Sequence, residues 1–278
     1  MRVAVRFGKT AFRLAVAGLI VLLAGRVFAA KALPWETADK GLYVAEFHSD
    51  FNGGNYALTL VRIDPAYYSF RLLCASQHGN EQLSVKDWAL KNHLVAAVNA
   101  SMYQTDGLTS IDFMKNFNHV NNPRLSRDNT ILAFHPAAKN LPPIQLLDRE
   151  CQDFGDLLPK YRSLVQGIRM ISCRGQNVWS KQDAKWSSLA LGMDAGGNIL
   201  FLFCRTPDSV HDFAQLLLSL PLSIKSAMYL EGGPQASLYL STPKMSLERY
   251  CTLEGLASDS LKFALPVPNV IGIVKKNR

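Results

Sequence analysis

Residues Ala227 to Leu238 read Ala-Met-Tyr-Leu-Glu-Gly-Gly-Pro-Gln-Ala-Ser-Leu, which puts one carboxylate, Glu231, at the end of an apolar run and directly before Gly232, Gly233 and Pro234. A short, uncharged run without alternation is the pattern of a strand covered on both faces. The two glycines then allow a sharp turn or a close approach of backbone to a ligand. Two readings of Glu231 stay open on this pattern alone: a rim carboxylate bonded to turn amides, or an acid presented at a strand end for chemistry.

The segment before this stretch supplies its partners. Ser188 to Met193 and Ile199 to Cys204 read as strands joined by the turn Asp194-Ala195-Gly196-Gly197, in which Asp194 bonds its own loop. Ser209-Val210-His211-Asp212 has the spacing of a helix start, and the helix it opens carries Phe213, Leu216, Leu217 and Leu220 on one face before Pro221 ends it. Ser84 to Asp87 repeats that start signal. Tyr56 to Ile63, Ser69 to Ala75, Leu94 to Val98, Thr130 to Phe134 and Val270 to Val274 read as further strands. Many short strands with few helices, without regular alternation, predict an α+β fold: a single domain with a mixed β-sheet core and a few packed helices.

The first 29 residues read as an export signal. Arg2, Arg6, Lys9 and Arg13 precede the apolar stretch Leu14 to Ala24, and Val27-Phe28-Ala29 forms a small-x-small cleavage site. Leu14 to Gly25 is 12 residues, short of the roughly 20 that a membrane helix needs, so no stable membrane span is expected once the leader is cleaved. Residues 30–278 then form the domain, exported to a periplasmic or secreted location. The leader holds five of the 30 Lys plus Arg and none of the 22 Asp plus Glu, so the remainder carries 25 against 22, a net charge of +3 instead of +8. No Lys/Arg cluster interleaved with aromatics is present, and no nucleic-acid partner is expected. The five cysteines, Cys74, Cys151, Cys173, Cys204 and Cys251, include no Cys-x-x-Cys pair, which argues against a zinc site. One or two bridges are open to them, with Cys151 to Cys173 the pairing suggested by loop-like context.

Three constellations besides Glu231 carry polar chemistry. Asn99 ends the apolar run Val95 to Val98, where its amide either caps the strand or contacts a sugar hydroxyl or phosphate oxygen. Asn116 to Asn122 reads Asn-Phe-Asn-His-Val-Asn-Asn; Asn116 and His119 are candidate substrate contacts there, and a plain polar loop is the alternative. Arg169, in Gln166 to Ile171, suits an anionic substrate because guanidinium forks onto phosphate oxygens, or else is a solvated strand-edge residue. No histidine pair has metal-site spacing, and neither metal nor cofactor is expected.

In this order, Ala97-Val98-Asn99-Ala100, Leu189-Ala190-Leu191-Gly192-Met193-Asp194 with Gly197, the helix, and Leu230-Glu231-Gly232-Gly233, the chain resembles the phosphodiester glycosidase family over about Leu42 to Val274. The resemblance implies hydrolysis of a sugar-1-phosphodiester, with Asn99 matching the family's asparagine and Glu231 standing where the family has Asp. Pro234 stands in place of a third glycine, Ser188 where many members have Arg, and Asp112 where Gly is common. The resemblance thus implies Glu231 as nucleophile or base, Asn99 as a positioning group, and the Gly232 and Gly233 amides with Arg169, or Lys185, receiving negative charge. The partner is then a carbohydrate or sugar phosphodiester in envelope or extracellular glycans; the oligomeric state is not legible, nor is a second catalytic acid. A non-catalytic glycan-binding or scaffold protein on the same fold is the alternative.

Overall fold

The computed structural model describes residues 32–251 and 264–277, so the leader reading lies outside the described residues. In chain order the elements are β1 (Glu36–Asp39), β2 (Leu42–Phe51), β3 (Gly54–Ile63), β4 (Tyr68–Cys74), α1 (Val85–Lys91), β5 (Ala96–Asn99), β6 (Met114–Asn116), β7 (His119–Asn122), β8 (Thr130–Pro136) and β9 (Ile144–Asp148). They continue with α2 (Phe154–Leu157), β10 (Tyr161–Ile171), β11 (Trp186–Asp194), β12 (Ile199–Asp208), α3 (Val210–Ser219), β13 (Ile224–Gly232), β14 (Ser237–Ser241), β15 (Ser246–Tyr250) and β16 (Asn269–Lys275). The fold is α+β, and every pairing recorded among the described strands is antiparallel.

Two sheets face each other. The larger runs β1-β2-β3-β12-β11-β13-β10-β6-β7, with β8 also on β10 and β9 on β8; the smaller runs β15-β14-β5-β16-β4. Between them Val44, Val61, Leu191, Phe201, Met228 and Leu230 of the larger sheet meet Phe70, Leu72, Val98, Leu238 and Ile271 of the smaller one. The outer face of the larger sheet is not bare: Phe213, Leu216 and Leu217 of α3 cover Ala190, Leu200 and Leu202. Burial on both faces is why β11, β12 and β13 read as continuous apolar runs. At roughly 1.5 to 3 kcal/mol for each fully buried large side chain, this face of α3 is a main reason the helix persists at ten residues.

Both helix starts form as their sequences predict. Ser84 accepts from the Asp87 amide at 3.1 Å and Ser209 from the Asp212 amide at 3.0 Å. The Asp194 turn also forms: its carboxylate takes the Asn198 backbone and side-chain donors at 2.9 and 2.8 Å. Strand β2, absent from the sequence reading, pairs with β3 through Asn52-Gly53, whose φ values of +48° and +81° suit a tight hairpin. Its outward positions, among them Glu46 and His48, dilute the apolar signal that marks the other strands.

Cys151 and Cys173 form a disulfide, as the loop context suggests, whereas Cys74 and Cys204 are buried thiols that burial pushes up to about 12. Closing a loop with a sequence separation of 22 limits the unfolded chain. Replacing both bridge cysteines with serine is expected to lower unfolding stability by about 3 kcal/mol, read from a lower denaturant midpoint together with a steeper slope as the unfolded chain expands.

Candidate active site

Glu231 is placed by a break in strand regularity. Tyr229 pairs with Ala190 and Glu231 with Leu189, so Leu230 and Glu231 together face one residue of β11, a β-bulge. Gly232 then pairs with Ser188, and a Cβ at Gly232 would overlap the Tyr229 hydroxyl and the Trp186 indole. Glycine is required at 232 by this contact. The bulge resets the alternation, so that Gly232 rather than Glu231 lies over these two aromatic groups. Gly233 follows at φ +66°, a left-handed conformation that glycine adopts without strain, and opens a 3-10 turn through Gln235.

Glu231 is 8% exposed, and its carboxylate accepts a hydrogen bond from its neighbour's amide, Gly232 N to Oε1 at 3.0 Å. Desolvation dominates, and pushes the carboxyl up to about 7 against the smaller opposing effect of the Gly232 amide. Tyr103, from the loop after β5, reaches Gln235 and lies within electrostatic range of Glu231, and burial raises its phenol. Tyr229 accepts from Trp186 Nε1 at 2.7 Å and its phenol is raised by burial and then by the Glu231 charge. Ser188 Oγ lies beside that phenol without completing a hydrogen bond of good geometry.

Asn99 brings the smaller sheet to the same turn. Its Oδ1 accepts from Ser237 N at 3.1 Å, six residues beyond Glu231, which fixes the orientation of the amide. Its Nδ2 is buried and has no partner among the described residues, in a residue only 1% exposed. A buried donor without a partner costs about 1 to 3 kcal/mol, and this one sits at the end of β5 where a ligand oxygen would satisfy it. A family model described as phosphodiester glycosidase matches residues 92–274, which spans Asn99, the bulge and the glycine turn.

The chain belongs to the phosphodiester glycosidase family. Solved structures share the fold. The catalytic domain of zebrafish N-acetylglucosamine-1-phosphodiester alpha-N-acetylglucosaminidase, auto-inhibited by its pro-peptide, is 14% identical with a TM-score of 0.63, covering 87% of this chain and 86% of that one. A Synechocystis protein of unassigned function is 16% identical with a TM-score of 0.59; 89% of this chain aligns, and it spans 64% of that protein's length. A Burkholderia pseudomallei K96243 protein described as exported is 10% identical with a TM-score of 0.52, covering 80% and 74%. No curated protein matches the chain. Among the described residues no helix is long and apolar enough to cross a membrane, and no cluster of metal-ligating side chains occurs.

The other residues singled out from the phosphodiester glycosidase resemblance and the polar loops lie in structural networks. Arg169 pairs with Asp148 at 3.0 Å and Glu150 at 2.8 Å, beside the disulfide, and its register opposite Met228 puts it three residues back along β13 from Glu231. Lys185 pairs with Asp208 at 3.1 Å. Asn116 joins Gln77 and Ser163, and His119 joins Ser76 at 2.9 Å, tying the β6–β7 hairpin to the turn after β4. Tyr103 and Tyr229, which sequence reasoning passes over, lie within electrostatic range of the carboxyl, and Trp186 holds the Tyr229 hydroxyl. Met102-Tyr103 directly after the Asn99 strand end was the available signal for the first of these.

Because burial lifts Glu231 to about 7 in the folded state against an ordinary carboxyl value of 4.5, the folded state holds a proton that the unfolded state releases between these pH values. Its contribution is therefore unfavourable above pH 7 and fades as pH falls towards 4.5. Glu231→Gln is expected to raise stability relative to wild type at pH 8, by on the order of 2 to 3 kcal/mol, and to leave it nearly unchanged at pH 4. Thermal melts of both proteins at the two pH values check this.

Proposed function

We propose that the protein is an exported hydrolase that cleaves the C1–O bond of a sugar-1-phosphodiester in envelope or extracellular glycans, with Glu231 as its catalytic carboxyl and Asn99 as the group that positions the sugar or phosphate. The observation that carries this reading is the pair formed by a desolvated Glu231 carboxyl and the orphaned Asn99 amide at one glycine turn, in a chain of the phosphodiester glycosidase family. The reaction suits such a site. A phosphate monoester leaves readily, so the demands fall on the oxocarbenium-like centre at C1 and on seating an anion. At about 7 the Glu231 carboxyl is present in both forms near neutral pH: protonated, it meets a phosphate without charge repulsion, and ionised, it serves as the nucleophile or base that the family resemblance implies, with the Gly233 turn beside it. The disulfide and the charged-then-apolar leader both favour an oxidising, exported location.

The ion pairs that hold Arg169 and Lys185 favour one competing reading, a glycan-binding protein without turnover, because neither cation is free to seat a phosphate. The two are separated by incubating the purified protein with the α and β methyl phosphodiesters of glucose-, mannose- and N-acetylglucosamine-1-phosphate and following free sugar. Release by wild type, with at least a 100-fold loss in Glu231→Gln, is the expected result. No release, with equal glycan affinity in both proteins, would overturn the enzyme reading.

A further inference from the structure

Gly232 has two contacts that bear on the same carboxyl. Its amide donates to Glu231 Oε1 at 3.0 Å, and the place that a Cβ would take on it is filled by the Tyr229 hydroxyl and the Trp186 indole. The peptide that holds the acid therefore rests on an aromatic shelf. A hydrogen bond of known direction fixes that shelf: an indole N–H can only donate, so the Tyr229 oxygen accepts from Trp186 Nε1 at 2.7 Å and keeps its own proton for another acceptor. The Ser188 hydroxyl, on the residue paired with Gly232, lies beside this phenol.

Tyr229 is 4% exposed, and burial, followed by the Glu231 charge, holds its phenol protonated throughout the range in which Glu231 titrates. Trp179, from the connection between β10 and β11, packs on the same ring with centroids 5.2 Å apart, but its N–H goes to Gln182 Oε1 at 2.9 Å and not to the phenol. The ionisable groups facing Glu231 among the described residues are phenols, Tyr229 from its own strand and Tyr103 from the loop after β5, while β11 sets the uncharged Leu189 and Ser188 opposite Glu231 and Gly232. Among the described residues no charged side chain enters the balance at Glu231, which is burial against the Gly232 amide. Whatever moves that amide moves the acidity of the carboxyl.

We propose that Tyr229, locked by Trp186, is a positioning residue of the Glu231 site, its hydroxyl seating Gly232 so that the Gly232 amide stays on the carboxylate. Seated there, the amide favours the anion; lifted off, it leaves burial unopposed, and the carboxyl keeps its proton to higher pH. The effect on turnover rests on the hydrolase reading above, whereas the effect on the carboxyl holds without turnover.

The test follows the Glu231 side-chain carboxyl by carbon-13 NMR against pH, assigned by its loss in Glu231→Gln, beside kinetics on whichever methyl phosphodiester wild type cleaves. Tyr229→Phe keeps the ring and removes the hydroxyl; its titration midpoint is expected to rise by at least about half a pH unit, with kcat lowered about tenfold and KM within about twofold. Trp186→Phe removes the donor that locks the phenol, is expected to move the midpoint the same way, and decides the matter if Tyr229→Phe does not fold. Trp179→Phe thins the packing on Tyr229 and leaves that hydrogen bond in place, so it is expected to lower the melting temperature with the midpoint unmoved. A midpoint that stays in place or falls in both Tyr229→Phe and Trp186→Phe, or that rises equally in Trp179→Phe, overturns this inference and leaves the hydrolase reading standing. A raised midpoint in Tyr229→Phe, when wild type releases no sugar, supports the positioning role and defeats the hydrolase reading instead.

Discussion

A strand covered on both faces has no water for a carboxylate at its end, and β13 carries one there. The apolar cover that makes β13 stable, α3 on one side and the smaller sheet on the other, is the same cover that strips Glu231 of solvent. With the Gly232 amide as its one hydrogen-bond donor among the described residues, the carboxyl stays neutral well above its usual range. The site's chemistry is thus set by the packing of the sandwich. The bulge at Leu230 and Glu231 directs the acid, and the contact of Gly232 with Tyr229 and Trp186 leaves room for no side chain that would redirect it.

Anchoring from the second sheet makes the arrangement specific. Asn99 lies at the end of β5, and its bond to Ser237 N closes the turn that follows Glu231 between the sheets. A second link, Arg249 of β15 to Glu46 of β2 at 2.6 Å, joins the sheets elsewhere, but it is partly exposed and contributes at most about 1 kcal/mol. The inter-sheet core does the larger part of holding the two halves in register.

Much of this was legible in the sequence because it is local. Helix starts at Ser84 and Ser209, the Asp194 turn, the doubly covered strands and the glycine turn after Glu231 each follow from side-chain types a few residues apart. The bulge was not legible, because it arises from the register between β11 and β13, which no single segment encodes. For the same reason Arg169 read as a phosphate ligand. Its carboxylate partners, Asp148 and Glu150, come from a different stretch of chain, and only the fold brings them within 3.0 Å.

The thiols of Cys74 and Cys204 bear on how such a chain matures. Thiolate is the form that attacks a disulfide, and at about 12 both groups are almost wholly protonated at neutral pH, besides being enclosed. Once folded, they have no means to compete with the bond between Cys151 and Cys173. Before folding they are ordinary cysteines, free to form the wrong bridge in any oxidising compartment. Fidelity of pairing is therefore a race between collapse of the two sheets over Cys74 and Cys204 and oxidation of the chain, and the winner is settled before the native state exists.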